Sequence, residues 1–431
     1  MFIMKMYINP EKNTWQQILQ RPAFDYRQLE SKVSAILEDV KLNGNVAVKK
    51  YTASFDGVEL NEFEVTEKEI TEAEANVDDN LKAAIEMARK NITAFHNSQK
   101  EEINKVETST GVLCWRRSVA IEEVGLYIPG GTAPLFSTLL MLGIPAVLAG
   151  CKDIIVCTPP DKNGRINPVI LYVAQLIGIK NIYKIGGVQA IAAMSYGTQT
   201  VSKVNKIFGP GNQYVTCAKK LVNAQGVAID MPAGPSELAV YADETCDPAF
   251  VAADLLSQAE HGPDSQVVLV APSISIVENV QAEIEKQLSR LPRKEIAAQA
   301  LQNSLAFVME NTADAFALLN EYAPEHMIIA ADDAEQLAEN IINAGSVFLG
   351  HYSPESAGDY ASGTNHTLPT NGYSKVYSGV SLDSFVKKIT FQQLTKGGLQ
   401  NIGPAVETMA AAEGLHAHKN AVRIRLNEMK N

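Results

Sequence analysis

The chain has 431 residues, 46% of them hydrophobic and 20% charged, the composition of a soluble globular protein too long for one ordinary core, so two or more domains are expected. Its 49 acids against 37 bases leave a net charge of −12, which repels phosphate backbones and anionic membranes and excludes nucleic acid as an expected partner. The five cysteines, Cys114, Cys151, Cys157, Cys217 and Cys246, are odd in number and form no CxxC pair; they read as reduced thiols of a cytoplasmic protein rather than a disulfide scaffold or a zinc knuckle.

The first stretch, MFIMKMYINPEKN, lacks the apolar run and small-residue cleavage site of a secretory signal and is expected to be retained. Residues 1–24 form a short arm of separate character. After it, Leu29, Val33, Ile36, Leu37 and Val40 fall on one helical face. Thr66 and Glu69 have capping-box spacing and open a helix expected to run to about Asn97. Val124 to Cys151 carries no charge over 28 residues, long enough to raise a membrane span. Pro129, Pro134 and Pro145, with Gly130, Gly131, Gly143 and Gly150, divide it into a turn, a helix and a loop, so buried core is expected instead.

From residue 124 short β-branched runs alternate with helical ones: KDIIVCTPP, INPVILYVAQLIGIK, NIYKIGG, VQAIAAMSYG, VNKIFGPG and NQYVTCAKKLV. That rhythm indicates parallel βαβ units. It resumes after IDMPAGPSE with QVVLVAPS, IVENVQAEIEKQLSRL, SLAFVME, HMIIAAD, AEQLAENIINA and SVFLG, so two α/β layers are expected in series. From about Leu382 the sequence reads as helices only, SLDSFVKKITFQQL and then GPAVETMAAAEGLHAHKNAVRIRLNEM. A tail so polar, after two complete sheets, is expected to cover another surface such as a second subunit. No repeat of fixed period and no low-complexity segment occurs.

Six of the seven histidines fall between residues 261 and 418. LLSQAEHGPDS, residues 255–265, sets Gln258 and His261 three apart on an expected helix with an apolar stripe of Phe250, Ala253, Leu255, Leu256 and Ala259. Glu325 and His326 adjoin at the start of a strand, where carboxylate and imidazole can share proton transfer or form a solvated edge pair. HYSPESAGDYASGTNHTLPT, residues 351–370, is a polar connection longer than structureless loops usually are, with Asp359 and His366 as its metal- or substrate-capable groups. Glu413, His416 and His418 share an expected helix. For an anion there are YIPGGTAP, residues 127–134, and FGPGNQY, residues 208–214, the second opening a helix; GxGxxG is absent, so spacing alone assigns no dinucleotide.

In this order and at these separations, FGPGNQYVTCAKK, IDMPAGPSE, LLSQAEHGPDSQ, APEHM, SPESAGDYASGTNHTLPT and EGLHAHKNAV resemble the L-histidinol dehydrogenase family, from about residue 25 to the C-terminus. The resemblance implies a four-electron oxidation of L-histidinol to L-histidine through the aldehyde, the last step of histidine biosynthesis, with two NAD and one zinc per subunit. It implies Gln258, His261, Asp359 and His418 as zinc ligands, His418 coming from the neighbouring subunit of an intertwined homodimer. His326 matches the base for alcohol oxidation and Glu325 the group that activates water for the aldehyde; Ser236, His366 and Glu413 match substrate positions, and Tyr127, Gln189 and Asn212 match NAD positions. The implied fold is α/β: two incomplete Rossmann-like parallel-sheet domains, one inserted in the other, with a helical N-terminal arm and a helical C-terminal tail. The expected divisions are 1–24 for the arm, 25–126 with 238–380 for the first domain, 127–237 for the inserted one and 381–431 for the tail.

A thiohemiacetal on Cys114 or Cys151 is the other route to aldehyde oxidation, but neither belongs to a motif above. His416 and Thr367 depart from the residues expected there, a non-histidine and a small aliphatic, and His416 beside the ligand helix is a competitor for metal. Two rival readings are a paralogue acting on another amino alcohol, opposed by His366 and Glu413, and a non-catalytic metal- or nucleotide-binding protein, opposed by the intact Glu325 and His326.

Overall fold

The computed structural model describes residues 4–21, 26–130, 135–232 and 234–429. Two parallel sheets organise it. The five-stranded one has the spatial order Asn181–Lys184, Asp153–Thr158, Glu123–Tyr127, Lys206–Phe208 and Ala228–Ile229, every neighbouring pair parallel. The six-stranded one runs Lys5–Ile8, Leu305–Val308, Gln266–Ala271, Glu237–Ala242, His326–Ala330 and Ser346–Leu349, again all parallel. The outermost strand of this sheet, Lys5–Ile8, comes from the N-terminal arm, which is therefore not purely helical. Leaving that strand aside, each sheet steps outward through three strands and then crosses back past the first, the order of a Rossmann-like half.

The strands read as continuous apolar runs because helices cover both faces. Against one face of the five-stranded sheet lie Tyr26–Asn43, whose Leu29, Val33, Ile36, Leu37 and Val40 are buried as expected, with Gly187–Tyr196 and Gln213–Asn223. Against the other lie Asp79–Asn97, Phe136–Ala149 and Pro168–Leu176. Phe136–Ala149 is surrounded, with Ser137 through Ala146 all buried, which is why the uncharged 28-residue stretch is core; the helix passes through Pro145 rather than ending there. No helix among the described residues is long and apolar enough to cross a membrane.

Three expectations are corrected. The helix expected from Thr66 to Asn97 is two, Glu67–Ala75 and Asp79–Asn97: Thr66 and Glu69 form the capping box, but Asp78 accepts the amides of Asn80 and Leu81 and starts a second helix. SLDSFVKKITFQQL is not an α-helix: Leu382–Phe385 makes a single 3-10 turn and the rest is extended. Val386–Leu394 is a strand, paired antiparallel with Val112–Ala120 from Val386↔Ala120 to Leu394↔Val112, and Phe391 stacks on Trp115 at 5.5 Å. Its Val, Ile, Thr and Phe suit a pleated surface once a partner strand exists, and that partner lies far away in sequence. Only after it does the tail become helical, as Lys396–Ala412 and His416–Glu428. Finally, 351–370 is not structureless, since Glu355–Tyr360 is a short helix.

Phe385, just before the strand, is fully buried and stacks on Phe208 with ring centroids 4.1 Å apart, while its carbonyl accepts the Ile121 amide. This contact fastens the tail to the five-stranded sheet. Phe385→Ala should cost about 3–5 kcal/mol through lost burial and the cavity left behind, read as a lowered thermal midpoint; an unchanged midpoint would contradict that role.

Candidate active site

The strands Glu123–Tyr127 and Lys206–Phe208 are neighbours at which the strand order reverses, so a crevice opens beyond their carboxyl ends. The Gly209-Pro210-Gly211 turn crosses it. Gly209 has φ +124°, and a Cβ there would strike the Tyr127 carbonyl, so only glycine lets the turn lie so close to the neighbouring strand. A buried ion pair holds the turn: Lys219 Nζ lies 2.5 Å from Asp230 Oδ1 and donates to the Gly209 carbonyl at 2.7 Å, while Asp230 Oδ2 accepts the Gly209 amide at 2.8 Å. Asn212 caps the next helix by accepting the Tyr214 and Val215 amides, so those N–H groups are occupied rather than free for an anion as the sequence suggested. The first anion candidate, YIPGGTAP, has its residues 131–134 outside the described ones.

Two clefts meet here. The larger, about 1320 Å³, is walled by Tyr127, Gly130, Asp56, Arg165 and Asn212 among others. The Tyr127 hydroxyl accepts the Gly187 amide at 3.1 Å. Gln189 is buried, donates to Asp56 at 3.3 Å and has an unpaired Oε1; burial raises the Asp56 carboxyl to about 6. The second cleft, about 310 Å³, is lined by Asn212, Ser236, His261, Glu325, His366 and Thr367 among others. Asn212 borders both, and the Oγ1 of Thr367 is buried without a partner.

The second cleft reaches the six-stranded sheet at the amino ends of its strands. His326 is the first residue of His326–Ala330, with Glu325 just before it, and both are buried beside the start of Glu237–Ala242. The solvated-edge alternative is thereby excluded: the strand is flanked on both sides. Three carboxylates converge on this imidazole. Nδ1 lies 3.5 Å from Glu355 Oε1 and 3.8 Å from Glu325 Oε2, and Nε2 lies 3.4 Å from Asp359 Oδ1. Burial disfavours imidazolium, yet the charges of Glu355, Glu325 and Asp359 outweigh it and raise His326 to about 10; burial raises Glu325 and Glu355 to about 8. Glu325 is held further by the Glu237 amide, 2.9 Å from its Oε2.

Gln258 is fully buried on Pro248–Ala259 with neither amide atom paired. The helix stops at Glu260, so His261 lies beyond it on the cleft wall, exposed, and does not share a helical face with Gln258 as expected; of the predicted stripe, Phe250 and Ala253 point to solvent. Although His261 has a solvent-facing side, desolvation by the protein atoms packed around its ring lowers it, against the charge of Asp359, which raises it. His366 donates through Nδ1 to the Asp359 carbonyl at 2.9 Å, its Nε2 is 3.2 Å from Thr138 Oγ1, and burial shifts it downward. An amide and a carboxylate oxygen without partners in a dry wall are costly unless something else completes them. Gln258 and Asp359, buried nitrogen and oxygen donors without hydrogen-bond partners, with His261 on the cleft wall and the excess negative charge of the neighbouring carboxylates, are a donor set that fits a divalent transition metal. Among the described residues the tight cluster of His, Asp and Glu atoms is His326, Glu355 and Asp359, within 4.8 Å of one another.

Sequence reasoning missed Glu355, which stands four residues before Asp359 on the same short helix. The spacing would have exposed it had 351–370 been read as partly helical. Glu413 and His418 are not brought to this site. Both are exposed; Glu413 closes one tail helix, Gly414 turns at φ +74°, and His416 and His418 begin the next, so the three do not share a helix as expected. His96, the isolated histidine, is structural: its Nδ1 donates to the Ile92 carbonyl and its Nε2 meets Asn365.

The family model for histidinol dehydrogenase matches residues 19–426. The chain belongs to the histidinol dehydrogenase family. A histidinol dehydrogenase of Bacteroides thetaiotaomicron is 58% identical over 428 residues, 99% of this chain and 100% of that protein, and one of Bacteroides fragilis is 57% identical over 427 residues, again 99% and 100%. The crystal structure of histidinol dehydrogenase from Elizabethkingia anophelis superposes with a TM-score of 0.98 at 57% identity, each chain covered completely. Histidinol dehydrogenase membership agrees with the fold.

The buried cluster makes stability depend on pH when no metal is bound. Glu325, Glu355 and His326 all have folded values above their ordinary 4.5, 4.5 and 6.5, so the folded metal-free protein holds protons that the unfolded chain releases. That stabilisation is complete below the ordinary values and is lost as pH rises through about 8 for the carboxyls and about 10 for the imidazole. The thermal midpoint of chelator-treated protein should fall from about pH 5 to about pH 9, and added zinc should restore more at the higher pH, where metal no longer competes with protons. A flat midpoint, or a zinc effect larger in acid, would contradict this.

Proposed function

We propose that this chain oxidises L-histidinol to L-histidine through the aldehyde, a zinc- and NAD-dependent four-electron oxidation completing histidine biosynthesis in the cytoplasm. The observation that carries the reading is His326, buried against Glu325, Glu355 and Asp359, together with the buried, unpaired amide of Gln258. Gln258, His261 and Asp359 of one subunit, with His418 of a second, would hold one zinc, which when bound supplies a cation that anchors the imidazole and amine of the substrate. Tyr127, Gln189 and Asn212 would hold NAD, which when bound would supply the hydride acceptor for each of the two oxidations.

His326 takes the hydroxyl proton in the first oxidation as a neutral imidazole, the form that a cation held in part by Asp359 would favour over the protonated ring of the metal-free site. Glu355, behind Nδ1, orients the ring and stabilises the imidazolium that results, as a buried carboxylate does behind a catalytic histidine. Glu325, ionised once a bound cation opposes the burial that raises it to about 8, accepts a proton from water as it adds to the aldehyde. The thiol route is disfavoured because burial raises the Cys151 thiol to about 11, and neither Cys151 nor Cys114 lines the clefts described above. Ser236 and His366 line the pocket that would take the substrate.

A homodimer with shared sites is supported by the tail. Its two helices pack on each other, where Val422 and Leu426 crowd Gly403, and leave Met409, Leu415 and Ile424 exposed together with Glu413 and His418. Such a projecting pair is suited to complete the site of a second copy, bringing Glu413 to the substrate.

Limiting L-histidinol with excess NAD should yield two NADH per histidinol, with activity lost on chelation and regained with zinc. One NADH would reduce the reaction to a single alcohol oxidation, and none would overturn it. Mixing inactive His418→Ala and His326→Asn proteins should restore activity, since one site of each hybrid dimer keeps both residues; no recovery after confirmed subunit exchange would refute the shared site.

A further inference from the structure

The N-terminal arm delivers a charged side chain to Glu237, the residue after Ser236, which lines the smaller cleft. It is anchored on both sides of Pro10, by the strand Lys5–Ile8 added to the six-stranded sheet and by Trp15 and Leu19, buried in the same apolar cluster as Tyr322. Arg21 follows. Its guanidinium binds both carboxylate oxygens of Glu237, Nε to one and Nη2 to the other at 2.9 Å, donates to the Tyr322 carbonyl at 2.6 Å, and lies 4.1 Å over the Tyr322 ring.

Glu237 is 2% exposed and is the first residue of its strand. It makes two further contacts. Its Oε1 accepts the Asn371 amide at 2.8 Å, which secures the end of the segment carrying His366, Thr367 and Thr370, where Asn371 adopts φ +56°. Its own amide donates to Glu325 Oε2 at 2.9 Å. A single buried carboxylate thus joins the arm, one cleft-lining segment and the backbone group that aims Glu325. A buried bidentate pair sustains this; a lone buried carboxylate, deprived of its cation, does not stay in place unchanged.

We propose that Arg21 is a positioning residue for Glu325, acting through Glu237. The proposal rests on Glu325 being the group that activates water for the aldehyde. It gives the arm a role within the site, since Arg21 touches none of the reacting atoms and yet fixes the strand end and segment from which the carboxylate is presented. Because a displacement of about 1 Å can cost on the order of 100-fold in rate, the effect should be large and confined to the step that uses Glu325.

The experiment compares the two oxidations separately in full-length, zinc-loaded enzyme: histidinol with the aldehyde trapped by semicarbazide, and the amino aldehyde supplied directly. Arg21→Met should lower kcat for the aldehyde about 100-fold while alcohol oxidation and the KM for NAD change by less than about threefold. Arg21→Lys, which keeps the charge but cannot span both oxygens, should fall between wild type and Arg21→Met. Should Arg21→Met fail to fold, Glu237→Gln, which keeps the shape and removes the charge, should show the same selective loss. Retention of aldehyde oxidation in these variants, or an equal fall in both oxidations together with NAD affinity, would overturn the proposal. Failure of the wild-type enzyme to oxidise the aldehyde at all would instead overturn the reading of Glu325.

Discussion

The constraint on which the rest of this structure depends is uncompensated negative charge in a dry place. Three carboxylates, Glu325, Glu355 and Asp359, surround one buried imidazole, and a fourth, Glu237, lies one residue away across the neighbouring strand. Burying such a group costs several kcal/mol for each charge unless protons, cations or hydrogen bonds answer it. Each answer here comes from a different part of the chain. Arg21 neutralises Glu237, the Glu237 amide holds Glu325, and the imidazole shares what remains between Glu355 and Asp359. The unpaired amide of Gln258 and the unpaired oxygen of Asp359 remain, as does the net charge, and these are the features that a divalent cation answers.

Two sheets of the same strand order meet at this point, but by opposite ends. The five-stranded sheet contributes the carboxyl ends of its strands, where the reversal of order leaves a crevice walled by Asp56, Tyr127, Arg165 and Asn212 among others. From the six-stranded sheet come the amino ends, where Glu237, Glu325 and His326 enter or precede adjacent strands and are fixed by the ladder itself. Functional groups set on strand ends rather than on free loops keep their geometry. The Gly209 turn, pinned by Lys219 and Asp230, brings the wall of one cleft to within one residue, Asn212, of the other.

The tail has a different economy. Its strand is firmly paired and Phe385 is locked under it, whereas the two helices beyond leave both polar and apolar groups in water. Helices with exposed Met409, Leu415 and Ile424 gain little by packing only on each other. Glu413 and His418 are carried there, far from the groups that the same family motifs pair them with.

Much of this was legible in one dimension. Parallel βαβ order follows from apolar β-branched runs spaced by helical ones, because a strand covered on both faces has no polar side to show, and the family follows from six motifs in order. Gln258, His261, Glu325, His326, Asp359 and His366 were all nameable from those motifs. What sequence could not decide was anything set by a distant partner. Val386–Leu394 becomes a strand only because Val112–Ala120 offers it an edge, and Thr66–Asn97 divides because Asp78 caps a second helix. Glu355 and Arg21 carry no motif signal. Each matters because folding places it against a charge, Glu355 29 residues from His326 and Arg21 216 residues from Glu237, and electrostatic interaction depends on distance in space, which sequence order does not contain.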